Sequence, residues 1–242
     1  MIKSDEKLIK ILAEFTSNDI KIIEENDSQY LSLEKLHKHI KNDELFIKLT
    51  VINALMSYQL QATGEIYWDN FSNFFSDRAK TLNDFEEFIS LYSKRLINLR
   101  KKRLQKVLTC MKSFSFDEMM HFFDNTLNFI EQISQCLKQK RESKTVVFSA
   151  KMLLYTYKII TKKMVTPDFG IMIPLDLRIK KISDEMEFWR NVEKKTSIPL
   201  LHIDSILWIT MGMQIDGLST LNKKLTGNIL ILKEYLEKSY GI

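Results

Sequence analysis

The chain has 242 residues, 45% of them hydrophobic, which is enough to bury a core and excludes an intrinsically disordered polymer. Six glycines and three prolines leave too little turn material for an all-β fold, so the class expected is all-α. Thirty-six Lys and Arg against 31 Asp and Glu give a net charge of +5, which is compatible with nucleic acid without requiring it. The two cysteines, Cys110 and Cys136, exclude a four-cysteine iron–sulfur cluster and fit no metal spacing, so reduced, buried thiols of an intracellular protein are expected. The amino terminus, MIKSDEKLIKILAEF, interleaves acids with apolar residues, unlike a signal peptide. No window offers about eighteen uncharged apolar residues, so a soluble, cytoplasmic protein without membrane contact is expected.

In chain order, Ser4 to Phe15 reads as a first helix with Leu8, Ile11, Leu12 and Phe15 on one face, broken before Gln29-Tyr30 by the polar segment Glu24 to Ser28. Leu31 to Ile40 is a second helix; its His37 and His39, two apart, point in different directions and do not make a metal site. Glu44 to Ala62 is apolar along most of its length, a core helix interrupted by Asn53 and Gln59 and expected to end near Gly64. Glu65 to Phe75 carries an aromatic cluster of Trp68, Phe71, Phe74 and Phe75. Leu82 to Leu99 is amphipathic and runs into Lys94 to Lys106, which has seven cations and no acid; that run is either a solvated face or a surface laid along phosphates.

Asp117 to Lys138 reads as one long helix capped near Ser115, followed by the hairpin KQKRES from Lys138 to Ser143. With the next helix this makes a helix-hairpin-helix over about 117–162, whose N–H groups and cations can hold a DNA phosphate, although it has no glycine. The stretch from Ser143 to Arg178 then organises the chain. Ser143 is an N-cap candidate, and Val147, Ala150, Leu154, Tyr157 and Ile160 recur at helical spacing, so a helix begins at Lys144. Thr166 to Pro174 turns the chain, and Asp176 is the N-cap expected for a helix over Leu177 to Glu187.

One lysine and one aspartate thus stand at the starts of consecutive helices. A helix start disfavours an added cation and so favours the free, nucleophilic amine of a lysine, while it welcomes a carboxylate. An amine facing a carboxylate suits Schiff-base chemistry on a sugar carbon. Further on, Trp189 to Thr196 is helical and Ser197-Ile198-Pro199 signals another start. The segment LLHIDSILWITMG that follows is apolar on nearly every side; its Asp204 needs a partner if buried and shares a face with Trp208. Thr220 to Lys238 is the last amphipathic helix.

Five blocks in order, DSQY at Asp27–Tyr30, NALMSYQLQATGEIYW at Asn53–Trp68, KTVVFSAKM at Lys144–Met152, IPLDLRI at Ile173–Ile179 and LHIDSILW at Leu201–Trp208, resemble the archaeal 8-oxoguanine DNA glycosylase/lyase family, AGOG, a branch of the helix-hairpin-helix DNA glycosylases. The resemblance covers most of the chain and implies a single all-α glycosylase domain of two helical lobes, with the active site in the cleft between them. It implies that Lys144 attacks C1′ of the damaged nucleoside with Asp176 assisting, and that excision is followed by β-elimination. It implies that Phe148 and Trp68 sandwich a flipped-out base, and that Gln29, Asp204 and Trp208 line the same pocket. The expected partner is DNA containing 8-oxoguanine, bound by a monomer with no metal or other cofactor. Two other readings share the fold: a sister glycosylase with another lesion preference, and a silent helical DNA-binding module, against which the paired Lys144 and Asp176 argue.

Overall fold

The computed structural model describes residues 5–76, 80–212 and 221–242, and every regular element among them is helical. Ser4 and Thr220, where the sequence reading starts the first and last helices, lie outside the described residues. The chain divides into two units, Met1–Asp27 with Thr166–Ile242, and Ser28–Val165. No described helix is long and apolar enough to cross a membrane.

The first unit begins with α1 (Glu6–Leu12) and α2 (Ser17–Glu25). The expected single helix to Phe15 stops at Leu12 because Thr16 and Asp19 form a capping box that starts a second one.

The second unit opens with α3 (Ser28–His39), α4 (Asp43–Met56) and α5 (Gly64–Ser76). Every residue of α4 from Phe46 to Met56 is buried, the signature of a helix surrounded by protein. It ends at Met56 and not near Gly64, which instead opens α5. A one-turn 3-10 segment at Leu82–Asp84 leads into α6 (Phe85–Tyr92), and α7 follows at Ile97–Ser113. The expected continuous run over 82–99 is broken where Leu96 adopts a left-handed backbone, φ 55°. The long helix expected over 117–138 is likewise two. A capping box between Ser115 and Glu118 starts α8 (Phe116–His121), and Asn125 caps α9 (Thr126–Leu137).

The hairpin is present. Lys138 takes a left-handed backbone, the amide of Gln139 donates to the Ser134 carbonyl, and α10 (Lys144–Thr161) starts where expected. α10 packs on α4, α9 and α3, so the core of this unit is the α4–α10 pair. Cys110 on α7 and Cys136 on α9 are joined as a disulfide with Cα atoms 6.0 Å apart, which corrects the expectation of two free, buried thiols; Cys136 is exposed. Packing of α7 against α9 brings together two residues whose spacing in sequence carried no such information.

The chain then returns to the first unit with α11 (Ile179–Ile182), α12 (Met186–Thr196), α13 (Leu200–Gly212) and α14 (Lys223–Tyr240). The helix expected over 177–187 is cut to a single turn by the extended Ser183; α12 starts two residues beyond Asp184.

Candidate active site

In the second unit, Lys144 is the first residue of α10. Ser143 occupies the N-cap position without a side-chain bond to the helix, contrary to expectation. Lys144 is exposed and makes no hydrogen bond or ion pair with any described residue. One turn on, Phe148 is half-buried and meets Trp68 of α5 edge to face, with centroids 6.0 Å apart and planes at 77°. Trp68 is 1% exposed and held on another side by Phe71 at 5.5 Å. A base sandwiched between two rings needs them parallel and roughly 7 Å apart, two contact distances of about 3.5 Å each. As they stand, the two rings are neither parallel nor that far apart. Gln29, the second residue of α3, is also buried.

The basic run Lys94–Lys106 divides into two arginines bonded to the protein and cations that stay at the surface. Arg100 is fully buried and donates to the carbonyls of Arg95, Met56, Tyr58 and Gln59, while its guanidinium lies over the Tyr58 ring at 4.4 Å. Arg103 donates through Nε to the Leu55 carbonyl at 3.1 Å, and through Nη2 to Gln139 Oε1 at 3.3 Å and Thr145 Oγ1 at 3.0 Å. Burial lowers the pKa of both from the ordinary arginine value, yet guanidinium stays a cation. They satisfy the terminal carbonyls of α4, which explains why it stops there. Lys94, Arg95, Lys102 and Lys106 remain exposed, and Lys101 pairs with Glu86 at 2.7 Å.

In the first unit, Asp176 is partly exposed, and its Oδ1 accepts from the amides of Arg178 at 2.9 Å and Ile179 at 2.8 Å. The carboxylate thus caps α11 as expected and has its orientation set by two donors. Arg178 turns its guanidinium onto the face of Trp208, 3.5 Å from the ring centroid. The sequence reading counted Arg178 only as part of a block, although an arginine two residues after the aspartate was visible there. Trp208 is partly exposed and Asp204, one turn earlier on α13, is 5% exposed. On the same helix, His202 Nδ1 lies 2.7 Å from Glu24 Oε1 of α2, and Ser205 Oγ donates to the same oxygen at 3.3 Å. Glu193 of α12 was missed altogether. Its carboxylate accepts from the amide of Gly170 at 3.0 Å and from that of Leu200 at 3.1 Å, so it caps α13 and holds the turn that precedes Asp176.

Lys144, Phe148, Trp68 and Gln29 therefore belong to the second unit, and Asp176, Asp204 and Trp208 to the first. Among the described residues the fold is built of helices alone, with a tight hairpin delivering an exposed lysine to a helix start. The crystal structure of Pa-AGOG, the 8-oxoguanine DNA glycosylase from Pyrobaculum aerophilum complexed with 8-oxoguanosine, has it too: the TM-score is 0.78 over 93% of this chain and 94% of that one, at 24% identity. The chain belongs to the AGOG family of N-glycosylase/DNA lyases, whose model matches residues 9–238. The N-glycosylase/DNA lyase of Methanococcus maripaludis is 36% identical over 230 residues, 90% of this chain and 91% of the relative. That of Nanoarchaeum equitans is 34% identical over 233 residues, 96% and 98% of the two chains.

Proposed function

We propose that the chain is a bifunctional DNA repair enzyme that excises 8-oxoguanine and then cuts the strand at the resulting site. Its membership of the N-glycosylase/DNA lyase family supports the two activities, and the likeness to an 8-oxoguanine glycosylase supports the lesion. The observation that carries the mechanism is Lys144, an exposed amine without a side-chain partner among the described residues, at the start of α10.

The target carbon of a stacked nucleotide is out of reach in a duplex, so the damaged nucleotide flips out. The free amine of Lys144 attacks C1′, the bond from C1′ to N9 breaks, and its electron pair leaves with the base, which then takes up a proton. The amine nitrogen loses its proton, the sugar ring opens as O4′ leaves C1′, and a protonated imine links enzyme and DNA. Asp176 stabilises the cationic character that develops at C1′. The imine acidifies the C2′ hydrogens; loss of one expels the 3′ phosphate, and hydrolysis of the imine frees the lysine.

Phe148 and Trp68 form the walls for the flipped base, with Phe148 turning out of its edge-to-face contact to admit it, and Gln29, Asp204 and Trp208 are further candidates for contact with it. 8-Oxoguanine differs from guanine in an N7–H donor and an O8 acceptor, so an acceptor aimed at N7–H goes unpaired with guanine and discriminates strongly. Acting on chromosomal DNA, the enzyme works at the nucleoid, and one chain supplies every group of the reaction, so a monomer suffices.

Borohydride trapping on a duplex containing 8-oxoguanine tests this. The unmodified protein is expected to form a covalent adduct, Lys144→Gln none, and Asp176→Asn one that accumulates at least about a hundredfold more slowly, the size of a lost electrostatic stabiliser. DNA binding with no adduct from the unmodified protein would refute the lyase mechanism.

A further inference from the structure

We infer that Arg103 is a positioning residue for Lys144, a role that rests on the reading of Lys144 as the nucleophile. Its guanidinium joins three elements that have to agree for the lysine to point one way. Nε holds the last-turn carbonyl of Leu55 on α4 at 3.1 Å. Nη2 holds Gln139 in the hairpin at 3.3 Å and Thr145, the residue next to Lys144, at 3.0 Å. The fork is braced against the Tyr58 ring at 5.0 Å.

The bonds are placed where they are needed. Ser143 supplies no side-chain cap, so the first turn of α10 lacks the usual local anchor, and the hairpin before it has no glycine. Thr145 is 8% exposed and accepts the guanidinium directly, which gives the helix start an anchor from another element. The Lys144 side chain has no partner among the described residues, so its direction comes from the backbone that carries it. A planar fork with several N–H donors reaches acceptors on three elements at once, which a single ammonium does not. The neighbouring Arg100 is spent differently, on the end of α4, the turn after it and the Arg95 carbonyl before α7.

The test is single-turnover borohydride trapping on a duplex carrying a preformed abasic site, which isolates the amine from base recognition. Arg103→Ala, Thr145→Val and Gln139→Leu are compared with the unmodified protein and with Lys144→Gln, each at saturating DNA and at a temperature well below its unfolding midpoint. Arg103→Ala is expected to slow trapping by about tenfold to a hundredfold, the cost of a misplaced reacting group. Thr145→Val should reproduce much of that loss, and Arg103→Lys should not restore the rate. The half-saturating DNA concentration and the salt dependence of lesion-free binding stay unchanged.

A purely structural arginine would lower the unfolding midpoint and leave the rate per folded molecule intact, which overturns the inference. So does full rescue by Arg103→Lys, or a reduced salt slope, which would make Arg103 a phosphate contact. If Lys144→Gln still forms the adduct, the nucleophile assignment fails first. If only that variant loses it while the Arg103 and Thr145 variants trap normally, the positioning role fails alone.

Discussion

In the proposed function, Phe148 and Trp68 divide one task unequally. Trp68 sits in an aromatic cluster with Phe71 and is 1% exposed, while Phe148 is half-buried. Stacking on an aromatic face contributes about 1–3 kcal/mol per base, so Phe148→Ala should weaken binding of 8-oxoguanine duplex by about 5- to 150-fold. Trapping on a preformed abasic site, where there is no base to stack, should stay within about twofold, since the expected stacking term is absent. Equal losses on both substrates, measured by titration and by trapping, would show that Phe148 supports the fold of α10 and not the base. Trp68→Ala is the less informative change, because truncating a buried tryptophan costs about 3–5 kcal/mol of stability by itself.

At the scale of elements, the cations sort by position and not by local density. Arg100 and Arg103 lie inside the most basic run of the chain, yet both are bonded to protein carbonyls and side chains. The exposed cations at the hairpin, Lys138 and Lys140, precede the start of α10, and a helix start favours an anion. Neutralising them as Lys138→Asn and Lys140→Ala should flatten the dependence of log affinity on log salt by up to about two, with a loss of roughly one per phosphate contact. Asparagine suits the left-handed backbone of Lys138. Lys102→Ala with Lys106→Ala, on the outer face of α7, should leave the slope unchanged. A flatter slope from that pair, in salt titrations on lesion-free duplex, would move the phosphate track to α7.

At the scale of the molecule, the two ends of the described chain are tied together in the first unit. Asp5 caps α1 by accepting from the amide of Leu8 at 2.9 Å, and the hydroxyls of Tyr235 and Tyr240 on α14 donate to the same carboxylate. Burial alone raises its pKa, but the hydrogen bonds from Leu8 and the two tyrosines outweigh it and leave the carboxyl below the ordinary aspartate range. The group is therefore held more acidic in the folded state. Its contribution is present above the unfolded value of about 3.9 and is lost as pH falls through the lower folded value. Asp5→Asn keeps a capping oxygen and loses the charge, so it should cost about 1 kcal/mol at pH 7, the difference between hydrogen bonds to a charged and to a neutral acceptor. The gap between the two proteins in urea midpoint should close as pH falls from about 4 towards 2. A gap independent of pH would show that packing, and not the carboxylate, joins α1 to α14.

The helical class, the core helix α4, the hairpin and the start of α10 at Lys144 were all legible in the sequence, because periodicity and composition are local properties of the chain. So were Lys144, Asp176 and the pocket residues as candidates, through five short blocks in order. The helix breaks after Leu12, Tyr92 and His121 were not, since Thr16 and Asn125 read as polar positions of a continuing face until their caps are seen, and Leu96 reads as an apolar helical position until its left-handed backbone is seen. The Cys110–Cys136 bond, the Glu193 cap on α13, Arg178 over Trp208 and the arginine fork beside Lys144 were decided only by tertiary structure. Each joins residues from separate elements, and the partner of a buried polar group is chosen by which helices pack, not by its neighbours along the chain.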